Sequence, residues 1–229
     1  MFSFETINEI EKTYWYKTLW ELSRANEDIH DFLFGDEWEE WEEWDCYDAA
    51  CSLCDDYRDY NGNCVTVMCG ASKLCFVSDV SDLVVKIPFT STDFCAIEAS
   101  NYRTGAYFNL ERYLAGTTKW ENFREFFPTI NFPVYFSEKM FCNIINGDYD
   151  NITYSSRYEG SKQNFDTFFT TSDVDYIIRF QYGIDVYQQL VDFCVECDIN
   201  DMHGGNVMYD KNGNIRFIDY SGFDYALNV

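Results

Sequence analysis

Asp201-Met-His203-Gly-Gly-Asn206 and, beyond an intervening turn, Ile218-Asp219-Tyr-Ser-Gly222 bring two carboxylates and a carboxamide into one short stretch. Asn206 and Asp219 supply hard oxygen ligands of the kind that Mg2+ takes. Asp201 can accept a proton from an attacking hydroxyl. Far upstream, Lys86 is the basic residue of an otherwise apolar run, Leu83-Val-Val-Lys-Ile87. A cation there, facing a helix that carries Glu98, would anchor a phosphate. Each residue also has a plainer role. Asp201 and Asn206 can cap a loop, Asp219 can sit in a turn, and Glu98 can be one surface charge, with Glu111 on the same helix as its rival. Together they offer hard oxygen ligands, a base and a phosphate anchor. His203 reads as a loop-ordering residue, and His30, in an acidic helix, as a surface residue.

These residues need elements to position them. Cys64–Cys69, Lys73–Val77 and Leu83–Ile87 read as strands, separated by Gly70-Ala71-Ser72 and by Ser78–Asp82, preceded by the turn signal Asn61-Gly62 and closed by Pro88. That pattern is an antiparallel meander. A helix over 93–114 would carry Glu98. Phe132–Asn143 and Asn151–Tyr158 are candidate strands around the turn Asn146–Asp148, and Glu159–Ser161 reads as a linker. Asp173–Cys197 predicts one long helix, capped near Ser172. Val207–Tyr209, the turn Asp210–Gly213 and Ile215–Ile218 predict a hairpin that carries Asn206 and Asp219 at its open end. At the other end, residues 4–24 predict a helix with Ser3 as N-cap and Ile7, Ile10, Tyr14, Leu19 and Leu22 near helical spacing. A second helix should start from Asn26.

The chain has 229 residues, with 16 Lys and Arg against 40 Asp and Glu, a formal net charge of -24. Aromatic residues make up 20% and the hydrophobic set 47%, which excludes a disordered acidic chain. The charge counts against direct binding of a nucleic-acid backbone and favours a protein partner with a basic surface, or a cationic groove that normally holds nucleic acid. It is unevenly spread. Residues 1–60 hold 18 acidic and 4 basic residues, a net of -14, and residues 61–229 hold 22 and 12, a net of -10. In the run Gly35–Asp45, Trp38, Trp41 and Trp44 recur every three residues between carboxylates. That segment is either an amphipathic helix whose tryptophans pack on the rest of the protein or a docking surface for a basic partner. The N-terminus lacks a basic region followed by an apolar run, and no apolar stretch reaches the roughly 20 residues of a membrane span. A cytoplasmic protein is expected, with its ten cysteines reduced and mostly buried. The pairs Cys51–Cys54 and Cys194–Cys197 together could satisfy zinc. They are far apart, the second lies on a helical pattern, and small core residues are the plainer reading.

Asp-x-His-x-x-Asn, then a hairpin and Ile-Asp, is similar to the catalytic and metal loops of the protein-kinase-like fold, and the His at the third position resembles the aminoglycoside-phosphotransferase branch. Asp201-Met-His-Gly-Gly-Asn-Val-Met-Tyr209, with the glycine turn at 70–72 and the strand through Lys86, resembles the early serine/threonine kinases of podovirus-type coliphages over roughly residues 60–225. The resemblance implies an α+β, C-terminally truncated, two-lobe kinase-like fold. Residues 1–60 would be an acidic, Trp-rich helical extension and 61–229 the kinase-like domain, its N-lobe about 61–160 and its reduced C-lobe about 161–229, hinged at 158–161. It implies that Lys86 holds the phosphates of ATP with Glu98 as ion-pair partner, that Asp201 is the base, that Asn206 and Asp219 hold Mg2+, and that Gly70, Ala71 and Ser72 cover the phosphates. The sequence departs from the pattern in three ways. The turn has one glycine, His203 stands where protein kinases carry lysine, and the chain ends ten residues after Asp219, so the acidic helices would replace the usual substrate platform. The expected activity is transfer from ATP to Ser/Thr hydroxyls of host proteins in a phage-infected bacterial cytoplasm. Transcription, RNA-processing and defence machinery would be the target classes. The alternative is a degenerate kinase scaffold that inhibits a host nuclease, a CRISPR-type defence complex or RNA polymerase by stoichiometric contact through its acidic segment. A small-molecule kinase acting on cationic aminoglycosides is a third reading.

Overall fold

Alternating apolar residues between 64 and 88 build the centre of the structure. In a computed structural model, which describes residues 9–35, 43–70, 72–89, 117–119, 134–141, 172–196 and 206–218, these form β2 (Cys64–Cys69), β3 (Lys73–Ser78) and β4 (Leu83–Pro88), the expected meander. Two short strands that the sequence did not delimit, β1 (Asp56–Arg58) and β5 (Thr117–Lys119), extend it, together with β6 (Tyr135–Glu138), which lies inside the strand expected over 132–143. The sheet order is β1-β2-β3-β4-β6-β5, with every neighbouring pair antiparallel. The fold class is mixed α+β, as expected. The chain divides into two compact units, Met1–Ala99 with Gly116–Lys139, and Ser100–Ala115 with Met140–Val229.

In the first unit the two faces of the sheet differ. Successive side chains of a strand alternate between faces. Val65, Val67, Leu74, Phe76, Leu83, Val85, Ile87 and Phe136 share one face and are buried. Three helices cover it: α1 (Glu9–Ala25), α2 (Glu27–Phe34) and α3 (Glu43–Ser52). Trp15, Leu19, Leu22, Ile29, Phe32, Leu33, Ala50 and Leu53 enter the same core cluster as the strand residues. The expected boundary at 60/61 therefore falls in the turn between two paired strands, and the N-terminal helices are part of the sheet's own core. The buried stripe of α1 is Trp15, Thr18, Leu19, Leu22 and Ser23, while Ile10 stands 80% exposed and Tyr14 is half-buried. Ile7, Trp38 and Trp41 lie outside the described residues. Trp15 Nε1 donates to Ser81 Oγ at 3.0 Å, and Ser81 Oγ donates to Glu11 at 2.6 Å, which pins α1 to the β3–β4 turn. Asn26 caps α2, its side-chain oxygen accepting from Ile29 N at 3.0 Å.

The second unit contains α4 (Ser172–Tyr182), α5 (Ile184–Glu196) and the hairpin β7 (Val207–Tyr209)–β8 (Ile215–Phe217). The single helix expected over 173–197 is two helices. Gly183, at φ 88°, ends the first: its N–H donates to Arg179 O at 2.9 Å, and its carbonyl accepts from Tyr187 N at 3.1 Å to start the second. Apolar periodicity runs through this junction, so the break is invisible to a periodicity argument, whereas glycine's access to positive φ permits it. Arg179 lies 4.0 Å over the Tyr187 ring and bridges the break. Tyr182 Oη accepts from Ile215 N at 2.7 Å and Gln181 Nε2 donates to Gly213 O at 2.9 Å, which fastens the hairpin to α4. The candidate helix at 93–114 and the candidate strand at 151–158 lie outside the described residues.

Candidate functional site

Lys86 sits on the sheet face opposite α1–α3. In the ladder it stands across from Cys75 on one side and Tyr135 on the other, and only 8% of it is exposed. In the sequence it stands out as the basic residue of an apolar strand. The structure adds Lys73, 5% exposed and paired with Pro88, two positions along β4 from Lys86. By strand alternation Lys73, Cys75, Lys86 and Tyr135 all share this face, so two of the chain's 16 basic residues are buried as diagonal neighbours on it. Burying an ammonium group is costly without compensation, and neither lysine is without a partner. Alternation within Lys73–Ser78, set against the register of the next strand, was the signal that could have found Lys73.

The turn that precedes β3 begins at Gly70. Its N–H donates to Lys73 O at 2.9 Å, within the hairpin, and a Cβ built there would meet that carbonyl at an ordinary 3.8 Å. This glycine has no positive φ, so the position does not demand glycine. Ser72 is half-buried and its carbonyl accepts from Phe89 N at 3.0 Å. Ala71 lies outside the described residues.

In the second unit Asn206 is buried immediately before β7, and its carbonyl accepts from Ile218 N at 2.9 Å. The hairpin register thus brings the backbone of Asn206 to the residue that precedes Asp219 in sequence. Asp219 itself, with Asp201, His203 and Glu98, lies outside the described residues. Asn206 offers a hard oxygen of the type proposed for Mg2+, and the chemistry of that donor fits the ion. Among the described residues, no group of three or more His, Cys, Asp or Glu side chains is placed to hold a metal ion. His30, as expected, is a surface residue, its Nδ1 lying 3.2 Å from Asp31 Oδ1.

The two hairpin turns share the pattern Asp-x-Asn-Gly-Asn, Asp59-Tyr-Asn-Gly-Asn63 and Asp210-Lys-Asn-Gly-Asn214, and one hydrogen-bond plan. Asp59 Oδ1 accepts from the Asn61 and Asn63 amides, both at 2.8 Å, and Asp210 Oδ1 from the Asn212 and Asn214 amides at 2.8 and 2.9 Å. Glycines 62 and 213 have φ of 84° and 77°. Burial alone would raise the pKa of both aspartates. Hydrogen bonds from Asn63, Asn61 and Tyr14 outweigh it at Asp59, and those from Asn214 and Asn212, with the Arg216 charge, outweigh it at Asp210, so both are lowered. Arg216 pairs with Asp210 Oδ2 at 3.0 Å. Tyr14 donates to Asp59 Oδ2 at 2.9 Å, and burial pushes its hydroxyl up to about 12.

The cysteines differ from expectation. Of those described, Cys46 is buried, Cys64, Cys69 and Cys75 are half-buried, and Cys51 and Cys54 are exposed rather than core residues. Cys194 lies on α5, and Cys197 falls outside the described residues. No described helix is long and apolar enough to cross a membrane. Searches against protein-family models, curated proteins and solved structures give no match.

Proposed function

We propose that the chain is an ATP- and Mg2+-dependent phosphotransferase of protein-kinase-like build, acting on Ser/Thr hydroxyls of a protein with a basic surface. The observation that carries this reading is Lys86. It is a buried lysine on the third strand of an antiparallel meander, after a tight turn between the first two, which is where a protein kinase carries its phosphate-anchoring lysine. The strand order supports it as well. The strand that carries Lys86 lies in the interior of the sheet, between β3 and β6. The hairpin that starts at Asn206 supplies the frame on which Asn206 and Asp219 would hold Mg2+, and Asp201 would take the proton of the acceptor hydroxyl. The ion would neutralise phosphate charge, and Lys86, with Lys73 beside it, would orient the phosphates from the sheet. The test is incubation with γ-labelled ATP and Mg2+ in a lysate. Labelling of the chain or of lysate proteins is expected for wild type and is lost in Asp201→Ala and Lys86→Met. Equal labelling by wild type and Asp201→Ala overturns the reading.

The second reading is stoichiometric inhibition by contact. It is favoured by the solvent face of the first two helices, where Glu21, Glu27, Asp28 and Asp31 are exposed around a partly exposed Trp20. Such a face would steer a cationic partner and lose it with added salt. A pull-down unchanged by neutralising these four carboxylates would eliminate it.

A further inference from the structure

Two lysines are buried on one face of one sheet, in a chain whose net charge is -24. Lys73 stands across from Pro88 and Lys86 across from Cys75, so the two are diagonal neighbours on adjacent strands. Such positions lie about 7 Å apart, within reach of each other's long side chains. Like charges held that close repel, and burial sharpens the repulsion because less water screens it. The described strand positions of this face offer little to offset it. The direct ladder neighbours, Pro88, Cys75 and Tyr135, include no carboxylate. The one carboxylate among those positions is Asp56, on the edge strand β1, where it is exposed and accepts from Thr66 Oγ1 at 2.6 Å. It lies three strands from β4, on the order of 14 Å away at the usual strand spacing. Each lysine has a partner; what sets this face apart is the pairing of two buried cations on it.

We infer that Lys73 and Lys86 together anchor a phosphoanhydride chain of at least two phosphates, and hold it without a metal ion. The choice of phosphate as the anion rests on the phosphotransfer reading, whereas the two-cation face does not. Four-carbon stems let the ammonium groups spread as well as converge, and mutual repulsion favours spreading. Spread ammonium groups are matched better by successive phosphates of one chain, each accepting its own charge-assisted hydrogen bonds, than by one phosphate between them. Both lysines belong to the first unit, so the anchor is built without Asn206 or Asp219. In a molecule of this net charge a polyanion is repelled in general and held only where cations are concentrated. Recognition then lies in the phosphate chain rather than in the base attached to it. The ligand class is a di- or triphosphate, whether it ends in a nucleoside or is inorganic.

The test titrates the full chain with inorganic pyrophosphate in the presence of EDTA, by calorimetry. Pyrophosphate is expected to bind and inorganic phosphate to bind about tenfold more weakly. Lys73→Met and Lys86→Met should each weaken pyrophosphate binding by about tenfold, while Lys73→Arg keeps the cation and binds as wild type does. Circular dichroism checks the fold of each variant. Wild type supplies a readout that needs no variant: pyrophosphate should slow acetylation of Lys73 and Lys86 together and leave the exposed Lys17 unaffected. ADP in the same buffer should bind within about tenfold of pyrophosphate; a larger gap assigns recognition to the nucleoside and overturns the proposal. Absence of pyrophosphate binding in EDTA, equal affinity for phosphate and pyrophosphate, or an unprotected Lys73 would each overturn it too. Labelling from γ-labelled ATP separates the two readings. Transfer without pyrophosphate binding removes this anchor and leaves phosphotransfer standing, and pyrophosphate held by both lysines without transfer does the reverse.

Discussion

A buried carboxylate at the corner of each hairpin does the same work twice. Asp59 and Asp210 each satisfy two backbone amides of their own turn, and Asp210 also binds a mostly buried Arg216. Replacing Asp210 by Ala should cost about 3 kcal/mol, since it strands the amides and the guanidinium together; urea denaturation measures it. Both carboxyls are lowered by folding, so their contribution is complete above the ordinary carboxylate range of about 4 and is lost as pH falls through the folded-state values. The urea midpoint should therefore hold steady from neutral pH to about 5 and then fall, and Asp59→Asn should flatten that acid arm. At the alkaline end the sign reverses for Tyr14. Its hydroxyl is raised to about 12, so the stability it lends is present below its ordinary value and lost as pH rises towards 12. Legibility at this scale was selective. Lys86 stood out because it interrupts an apolar run. Lys73 did not, because a lysine that opens a strand looks like an edge residue until the register places it beside Lys86. If both orient phosphates, Lys86→Met should abolish transfer, and Lys73→Met should weaken ATP binding by about tenfold, or about 1.4 kcal/mol, with fluorescence titration as the measurement.

The meander from 64 to 88 was legible because each strand combines β-branched residues with a two-residue period and the turns are polar or contain glycine. The N-terminal helix was legible at its C-terminal end and in part in its facing, since Leu19 and Leu22 are buried as expected whereas Ile10 is exposed. Its buried side runs through Trp15 and the small polar residues Thr18 and Ser23, which a search for aliphatic periodicity passes over. The strands β1 and β5 are three residues each, too short to impose a pattern, and exist because longer neighbours offer them an edge. The division at Gly183 escaped for the opposite reason, a pattern that continues across a change of conformation. Gly183→Ala should destabilise the second unit by about 1 kcal/mol, because a Cβ at φ 88° is strained although nothing crowds it. At Gly70 the same substitution should shift the melting temperature little, since neither φ nor contacts require glycine there. The two scans together separate a glycine kept for backbone shape from one with no such need.

The net charge of -24, more than half of it in residues 1–60, suggests an acidic extension followed by a folded domain. The structure instead puts the described helices of that segment, α1 to α3, into the core of the first unit. Trp15, Leu19, Leu22, Ile29, Phe32 and Leu33 are all at most 2% exposed, and they lie against strand residues from Val65 to Phe136. Burying six such side chains contributes on the order of 10 kcal/mol, comparable with the whole stability of a typical domain. A chain trimmed to 61–229 should therefore lose cooperative unfolding of the sheet, read by calorimetry, while substitutions that neutralise Glu21, Glu27, Asp28 and Asp31 leave the unfolding transition in place. The acidic side of α1 and α2 concealed this apolar side in any argument from composition alone.

The twin Asn-Gly turns also set how the protein ages. The nitrogen after an asparagine can attack the side-chain carbonyl carbon, expel ammonia and form a succinimide that opens to aspartate or isoaspartate, and glycine leaves that approach unhindered. Here the nitrogen is already engaged: Gly62 N–H donates to Asp59 O at 2.9 Å, and Gly213 N–H to Asp210 O at 3.0 Å. Deamidation of Asn61 and Asn212 should consequently be slow in the folded hairpins and quick in the unfolded chain. Each conversion adds one negative charge beside a carboxylate that the turn already buries, so acidic species on isoelectric focusing would record how long each hairpin has spent open.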